Sequence, residues 1–390
     1  MPDLHEWSNL LVRMAHFIAG IMWIGTSFYF VWLDSVFSPP AERKEGVEGE
    51  TYMVHGGFFY RVEKRRFGAG QMPPGLHWFK WEATFTWITG FVLLWIVYYA
   101  SNGALLIDPA VRALTQTQAT LCGLGFLVGG WVIYDALFRS PLGRTKWGNV
   151  AGLALAGGAV WLLTHTFSGR GAFIHLGAMF GTIMVQNVWS HILPNQRAII
   201  AAAEAGKEPN YELGKKAKAR SMHNSYMTLP VLFTMISNHF ASLYGHAWNW
   251  LVLILVILVG AFVRHTMITA KKWPLVPAVA GLAVLMAMTA PRTAAVPAAS
   301  GAKVRFSEAY AILQTRCYAC HSANPTDDLF KVAPNGVMFD SPERAKAFAP
   351  RIYERAVTQK TMPFLNKTQM SDAEREVLGR WVAQGASVSD

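Results

Sequence analysis

Residues 10–33 read LLVRMAHFIAGIMWIGTSFYFVWL, twenty-four residues of which only Arg13 carries a formal charge. At about 1.5 Å of rise per residue, an α-helix of that length crosses the ~30 Å apolar layer of a bilayer. The stretch is too long and too aromatic for a cleaved leader, and no small-residue cleavage site follows it, so it reads as a retained helix. Seven further runs share its character, at about 83–100, 119–138, 149–167, 171–193, 226–245, 249–268 and 273–290. Several are edged by Trp or Tyr, such as Tyr98, Trp131, Trp189 and Trp248, as expected where a helix meets the lipid–water boundary. The whole chain of 390 residues is 52% hydrophobic and 15% charged, which excludes a disordered or fibrous protein. Its formal charge of +11 first suggests nucleic acid, but the basic residues fall between apolar runs, and 15 Trp with 23 Phe suit a membrane instead. No nucleic-acid partner is expected. The expected fold is all-α: a polytopic helical membrane bundle of about eight spans over 1–290.

The charges assign an orientation. With both termini outside, the inner connections 34–82, 139–148, 194–225 and 264–272 hold nineteen Lys and Arg, and the outer ones hold four (Arg112, Arg170, Arg292, Lys303). That asymmetry predicts N-out and C-out. The 34–82 connection is long, basic and aromatic, and the sequence leaves open whether it packs on the inner face or lies on anionic lipid. Asp34, Glu82 and Asp135 sit at span ends and read as interface markers.

Residues 291–303, rich in Pro and small side chains, read as a linker. Beyond it, 304–390 has eleven basic and ten acidic residues and a capping-box signature, Ser371-Asp-Ala-Glu374, opening an amphipathic helix through Leu378, Trp381 and Val382. Inside this segment lies Cys317-Tyr-Ala-Cys320-His321. Two thiols at this spacing add to the vinyl groups of a haem, and the adjacent His reaches the iron; C-x-x-C-H is the c-type haem attachment signature. A zinc site lacks ligands, because the third cysteine, Cys122, lies in an apolar run and no other His occurs in 304–390. One covalent haem c is therefore expected, with His321 as one axial metal ligand. Met338, Met362 and Met370 are candidates for the other. Met362, in a Pro-stiffened loop before the last helix, is preferred, and its position is similar to that of the distal Met in class I cytochromes c. Attachment of this kind occurs on the outer face of the bacterial inner membrane, the side to which the charge asymmetry assigns residues 304–390.

Ionisable groups within spans are costly and are functional candidates by default. Arg13 and His16 lie one helical turn apart in the outer part of the first run. His165, His175, His239 and His246 also fall toward the outer side, His191, His223 and His265 toward the inner side, and Gln186 and Asn187 near mid-span. Any one His reads equally well as an interhelical hydrogen-bonding group, and His165 and His246, near helix ends, as interfacial ones. His16, His175 and His239, on three runs, read together as a ligand set for a metal or an additional b-type haem, or as a polar substrate pocket.

Three stretches carry a resemblance: Met14-Ala-His-Phe-Ile-Ala-Gly-Ile-Met-Trp-Ile-Gly-Thr-Ser-Phe28, Gln186-Asn-Val-Trp-Ser-His-Ile-Leu-Pro194 and Met222-His-Asn-Ser-Tyr-Met-Thr-Leu-Pro230. With the polytopic region fused to a single C-terminal haem motif, the chain resembles the bacterial membrane-bound urate hydroxylases along its whole length. The resemblance implies oxidation of urate to 5-hydroxyisourate, with water as oxygen source and electrons passing to the haem. It also implies a small periplasmic cytochrome or a terminal oxidase as the acceptor beyond. The residues are compatible with urate, a planar monoanion. Arg13 can pair with its charge, Gln186 or Asn187 can match its amide edges, and one of His16, His175 and His239 can take its proton. Two other readings remain. One is an electron-transfer subunit oxidising quinol through intramembrane b haems on paired His. The other is a haem-sensing transporter, which the scarcity of Pro inside most runs disfavours.

Overall fold

A computed structural model describes residues 4–40, 42, 44–101, 105–290, 302–328 and 330–390, with nothing stated of the side chains of His5 and Asn335. The expected linker lies outside these residues except for Ala302 and Lys303. The chain is mostly helical and divides into two compact units: 1–107, 114–239 and 250–287 form the first, and 108–113, 240–249 and 288–390 the second.

The first unit holds helices α1 (Leu4–Val36), α2 (Trp81–Leu94), α3 (Gln116–Arg139), α4 (Lys146–Thr164), α5 (Gly169–Asn187), α6 (Leu193–Glu204) and α7 (Glu212–Ile236). A four-residue helix, α8 (Ala241–Tyr244), belongs to the second unit, and α9 (Asn249–Thr269) and most of α10 (Leu275–Thr289) return to the first. Among the described residues, six helical stretches are long and apolar enough to cross a membrane: 6–36, 81–99, 116–139, 146–164, 169–204 and 249–269. The other two expected spans differ. The run expected at 226–245 is the second half of α7, which starts earlier on a Lys- and Arg-rich turn and stops at Ile236, where Ser237 and Asn238 leave the α-helix. α10 has only 15 residues, about 22 Å at about 1.5 Å each.

The bundle is built around α5, whose face toward every neighbour is buried, with Phe173, His175 and Leu176 fully enclosed. α1 is the opposite: Leu11, Phe17, Ile18 and Ile21 are each more than half exposed. Apolar side chains turned outward along a long helix are what lipid, and not water, would cover. α5 continues into α6 through a π turn, Val188–Ile192. Pro194, at the start of α6, has no N–H to donate, and the wider turn accommodates it without ending the helix.

The 34–82 connection contains an antiparallel hairpin, β1 (Val47–His55) and β2 (Phe58–Arg65), with His55 opposite Phe58. Gly56 and Gly57 make its two-residue turn at φ +60° and +82°, which residues with a Cβ rarely adopt.

The second unit is built on α11 (Phe306–Arg316) and α14 (Asp372–Ala383), with short helices α12 (Pro342–Ala347) and α13 (Ala349–Ile352) between them. Leu313, Leu378 and Trp381 form the centre of its core, and Phe306 packs on Trp381 at 6.1 Å between ring centroids. The expected capping box is present: Ser371 Oγ accepts from the Glu374 N–H at 3.2 Å, and Glu374 Oε2 accepts from the Ser371 N–H at 2.7 Å.

Candidate functional site

A cavity of about 330 Å³ lies within the first unit, between α1, α2, α5 and α7. Arg13 and His16 line it from α1. His16 Nδ1 lies 3.0 Å from the Thr86 carbonyl, which can only accept, so Nδ1 carries the proton and Nε2 keeps its lone pair. Gly90 makes room for the ring: a Cβ there would stand 2.9 Å from His16 Cε1. The Arg13 guanidinium donates to Asn9 Oδ1 at 2.9 and 3.3 Å. Flat aromatic surface comes from Trp23, Trp87 and Phe91, the last two stacked at 5.5 Å. Trp87 Nε1 donates to Thr182, and Asn238 bridges Tyr98 and Arg170, donating to the first at 2.9 Å and accepting from the second at 3.2 Å. A guanidinium, an imidazole with a free lone pair and aromatic walls suit a flat, polar-edged anion.

The structure brings Arg13 and His16 together in this wall, and puts the other expected residues elsewhere. His175 is fully buried beside the cavity, with both ring nitrogens engaged. Nδ1 donates to the Gly171 carbonyl at 2.8 Å, and Nε2 accepts from the Tyr99 hydroxyl at 2.8 Å. His239 is exposed in the turn after α7. Gln186 accepts from Ser190 at 3.1 Å, and Asn187 is buried between α5 and α7. His165 bonds the carbonyl of Trp161 on its own helix. Among the described residues no three His, Cys, Asp or Glu gather as a metal-binding group. His16, His175 and His239 thus do not fit a shared ligand set, and no step is derived through one.

A second polar cluster joins α3, α5 and α7. Tyr134 donates to His223 Nδ1 at 2.8 Å and accepts from Asn187 Nδ2 at 3.0 Å, and Asn187 Nδ2 also donates to Asn224 Oδ1 at 2.8 Å. Next to Tyr134, Asp135 accepts from His191 Nε2 at 2.6 Å, Arg220 at 2.9 Å and Arg139 at 2.6 Å. Asp135 is only 7% exposed, so it is the centre of a buried ion cluster and not the interface marker its position at a span end suggested. Two atoms of buried side chains in this cluster, Asn187 Oδ1 and Arg220 Nη1, have no hydrogen-bond partner.

In the second unit the residues of the haem motif fit a c-type haem. Cys317 and Cys320 are both free thiols, and burial pushes them up to about 12 and about 11, so both stay protonated. His321 Nδ1 donates to the Val337 carbonyl at 2.9 Å, which leaves Nε2 as the nitrogen with a lone pair for a metal, and burial holds the ring below the usual imidazole range. Cys317, Tyr318, Val337, Phe348 and Met362 are half-buried around the core, the apolar surroundings a porphyrin needs. Of the other two candidate ligands, Met370 is packed in the core, and Met338 Sδ accepts from Arg344. Met362 is held from α14: buried Arg375 donates to its carbonyl at 2.6 Å, to Asn366 Oδ1 at 3.1 Å and to the Ala356 carbonyl.

Sequence reasoning missed Asn238, Arg170, Tyr134, Asp135, Arg220 and Asn224. The ionisable ones were visible as charges near span ends, but only tertiary packing shows which of them turn inward. A family model described as "Urate oxidase N-terminal" matches residues 2–294 of the chain. No curated protein and no solved structure matches it.

Proposed function

Because the chain belongs to the urate oxidase N-terminal family, we propose that it is a membrane-bound oxidoreductase that hydroxylates urate and passes the electrons to its own c-type haem. The observation that carries the urate reading is the match over 2–294, which includes every helix lining the cavity, and the haem reading is supported by the Cys317–His321 motif beyond it. The overall reaction is urate + H2O → 5-hydroxyisourate + 2 electrons + 2 protons. Urate binds in the cavity between α1, α2, α5 and α7, its charge facing Arg13 and its plane against Trp23 and Trp87. His16 Nε2, freed for acceptance by the Thr86 carbonyl, takes a proton as water adds to the ring. The aromatic walls keep other water away from the oxidised purine. Neither His175, whose nitrogens are both occupied, nor exposed His239 is assigned a catalytic role, and Gln186 is given none.

Cys317, Cys320, His321 and Met362 are the residues that would hold a c-type haem, which would supply a one-electron acceptor. His321 is oriented for this by Val337 and Met362 by Arg375. The long apolar helices and the charge asymmetry support placement in a bacterial inner membrane with N-terminus and haem unit outside, where a periplasmic cytochrome or terminal oxidase re-oxidises the haem.

The test is anaerobic haem reduction by urate in the purified full chain. Arg13→Ala and His16→Ala are each expected to slow it at least about 100-fold while ascorbate still reduces the haem, the scale typical of removing a positioned acid–base group. Normal rates in both variants would refute the site.

A further inference from the structure

The cluster between α3, α5 and α7 is not part of the cavity wall, yet it has the properties of a binding site. Asn187 is fully buried and Arg220 is 7% exposed, and each has one buried polar atom without a hydrogen-bond partner, Asn187 Oδ1 and Arg220 Nη1. An unsatisfied buried polar atom costs about 1–3 kcal/mol, and one on a charged group costs more. Both orphan atoms belong to side chains that flank Tyr134: Asn187 bonds its hydroxyl, and the Arg220 guanidinium carbon lies 5.1 Å from the centre of its ring. One orphan is an acceptor and the other a donor. Their complement is a ligand that presents an N–H beside a C=O.

Asp135 and Arg220 form a buried ion pair at 2.9 Å, while Arg139, the other guanidinium on Asp135, has a side chain 63% exposed. The neighbouring imidazole is set up as a proton acceptor. A carboxylate only accepts, so His191 Nε2 carries the proton toward Asp135, and Nδ1 keeps its lone pair. Asn187 and His191 stand four residues apart on one continuous helical stretch, the spacing that places two side chains on the same side of a helix. The cluster also adjoins the cavity: Asn224 donates to the carbonyl of Met184 and accepts, at its own carbonyl, from Thr228, and Met184 and Thr228 both line the cavity.

We propose that Asn187 and Arg220 form a second, inner binding site for an oxopurine, read through its N–H/C=O edge, with Asp135-held His191 as its proton acceptor. The site rests on the urate reading above for the ligand's identity, but not on Arg13 or His16. Its link to the cavity is through Asn224, bonded to the lining residues Met184 and Thr228.

The experiment measures equilibrium binding of urate and of singly N-methylated urates to the full chain in detergent, with the haem kept reduced so that no turnover occurs. In the wild type, at least one N-methylurate, its edge N–H blocked, is expected to bind at least tenfold more weakly than urate. Asn187→Ala abolishes that discrimination, whereas Arg13→Ala lowers affinity for all the ligands and keeps it. Arg220→Lys, which retains the charge opposite Asp135 but loses Nη1, is the second variant, and is expected to weaken urate binding at least tenfold. Unchanged discrimination in Asn187→Ala with unchanged urate affinity in Arg220→Lys overturns the inner site, as does a wild type that binds every N-methylurate like urate. Failure of urate to reduce the haem at all would instead count against the urate reading, and the two failures are separate readouts.

Discussion

Arg375→Ala tests how the second unit holds its candidate iron ligand. Arg375 is 5% exposed and sends its guanidinium from α14 into the loop that carries Met362. It donates to the carbonyls of Ala356 and Met362 and to Asn366 Oδ1. Hydrogen bonds from a charged donor contribute about 1.5–3 kcal/mol each, and water that enters the vacated space restores part of the three, so the net loss is about 3–5 kcal/mol. A unit of this size is stable by roughly 5–10 kcal/mol. Its thermal midpoint should therefore fall by at least about 12 °C. The loop should loosen before the helices do. In the full chain, the Met-to-iron charge-transfer band is expected to weaken at temperatures where the far-ultraviolet circular dichroism is still native. Arg375→Lys, which keeps the charge but lacks the guanidinium fork that reaches both the carbonyls and Asn366 Oδ1, should fall between. An unchanged midpoint and an undiminished band in Arg375→Ala would refute the positioning role. Loss of the band in Met362→Ala, with retention in Met338→Ala, separates that result from a wrong choice of ligand.

Other expectations follow from single positions. Gly123→Ala puts a methyl group 2.8 Å from His175 Nε2 and against the Tyr99 hydroxyl; overpacking there should cost about 1–3 kcal/mol, read as a lower thermal midpoint of the helical unit in detergent. Glu374 is held below the usual carboxylate range, first by the Ser371 backbone N–H and also by Arg316. Because its folded value is depressed, its contribution is present at neutral pH and lost as pH falls through and below the ordinary carboxylate range. Glu374→Gln should therefore lower stability at pH 7 and flatten the acid limb of an unfolding-versus-pH curve, whereas a limb as steep as wild type would contradict it.

Much of the architecture was legible because it follows from one-dimensional patterns. Apolar runs give the helices of the bundle, and Ser371 three residues before Glu374 marks the start of α14. The boundaries of α7 were not legible, because Ser221, Asn224 and Ser225, residue types that commonly cap helices, lie between its charged first half and its apolar second half, yet the helix runs straight through them. The hairpin was missed although Gly56-Gly57 between aromatic and β-branched residues is a strong turn signal; a basic, aromatic segment between spans drew attention to lipid instead. Within the candidate sites, Arg13 and His16 were visible because one helical turn separates them. The Asp135–Arg220–His191 cluster was not, since its members lie 56 and 85 residues from Asp135 in the chain and meet only by packing of α3, α5 and α7. His175 illustrates the converse: a histidine in an apolar run looked like a ligand, and its environment shows two protein hydrogen bonds that satisfy it.

The central claim is that oxidation of urate in the helical unit reduces the haem of the same chain. Its most direct measurement is an anaerobic titration of the oxidised, purified protein with urate, following ferrohaem by absorbance and product oxygen by mass spectrometry in 18O-labelled water. The account predicts two ferrohaems formed per urate consumed and label from water in the hydroxylated product. A haem that stays oxidised with urate while quinol reduces it would contradict the account.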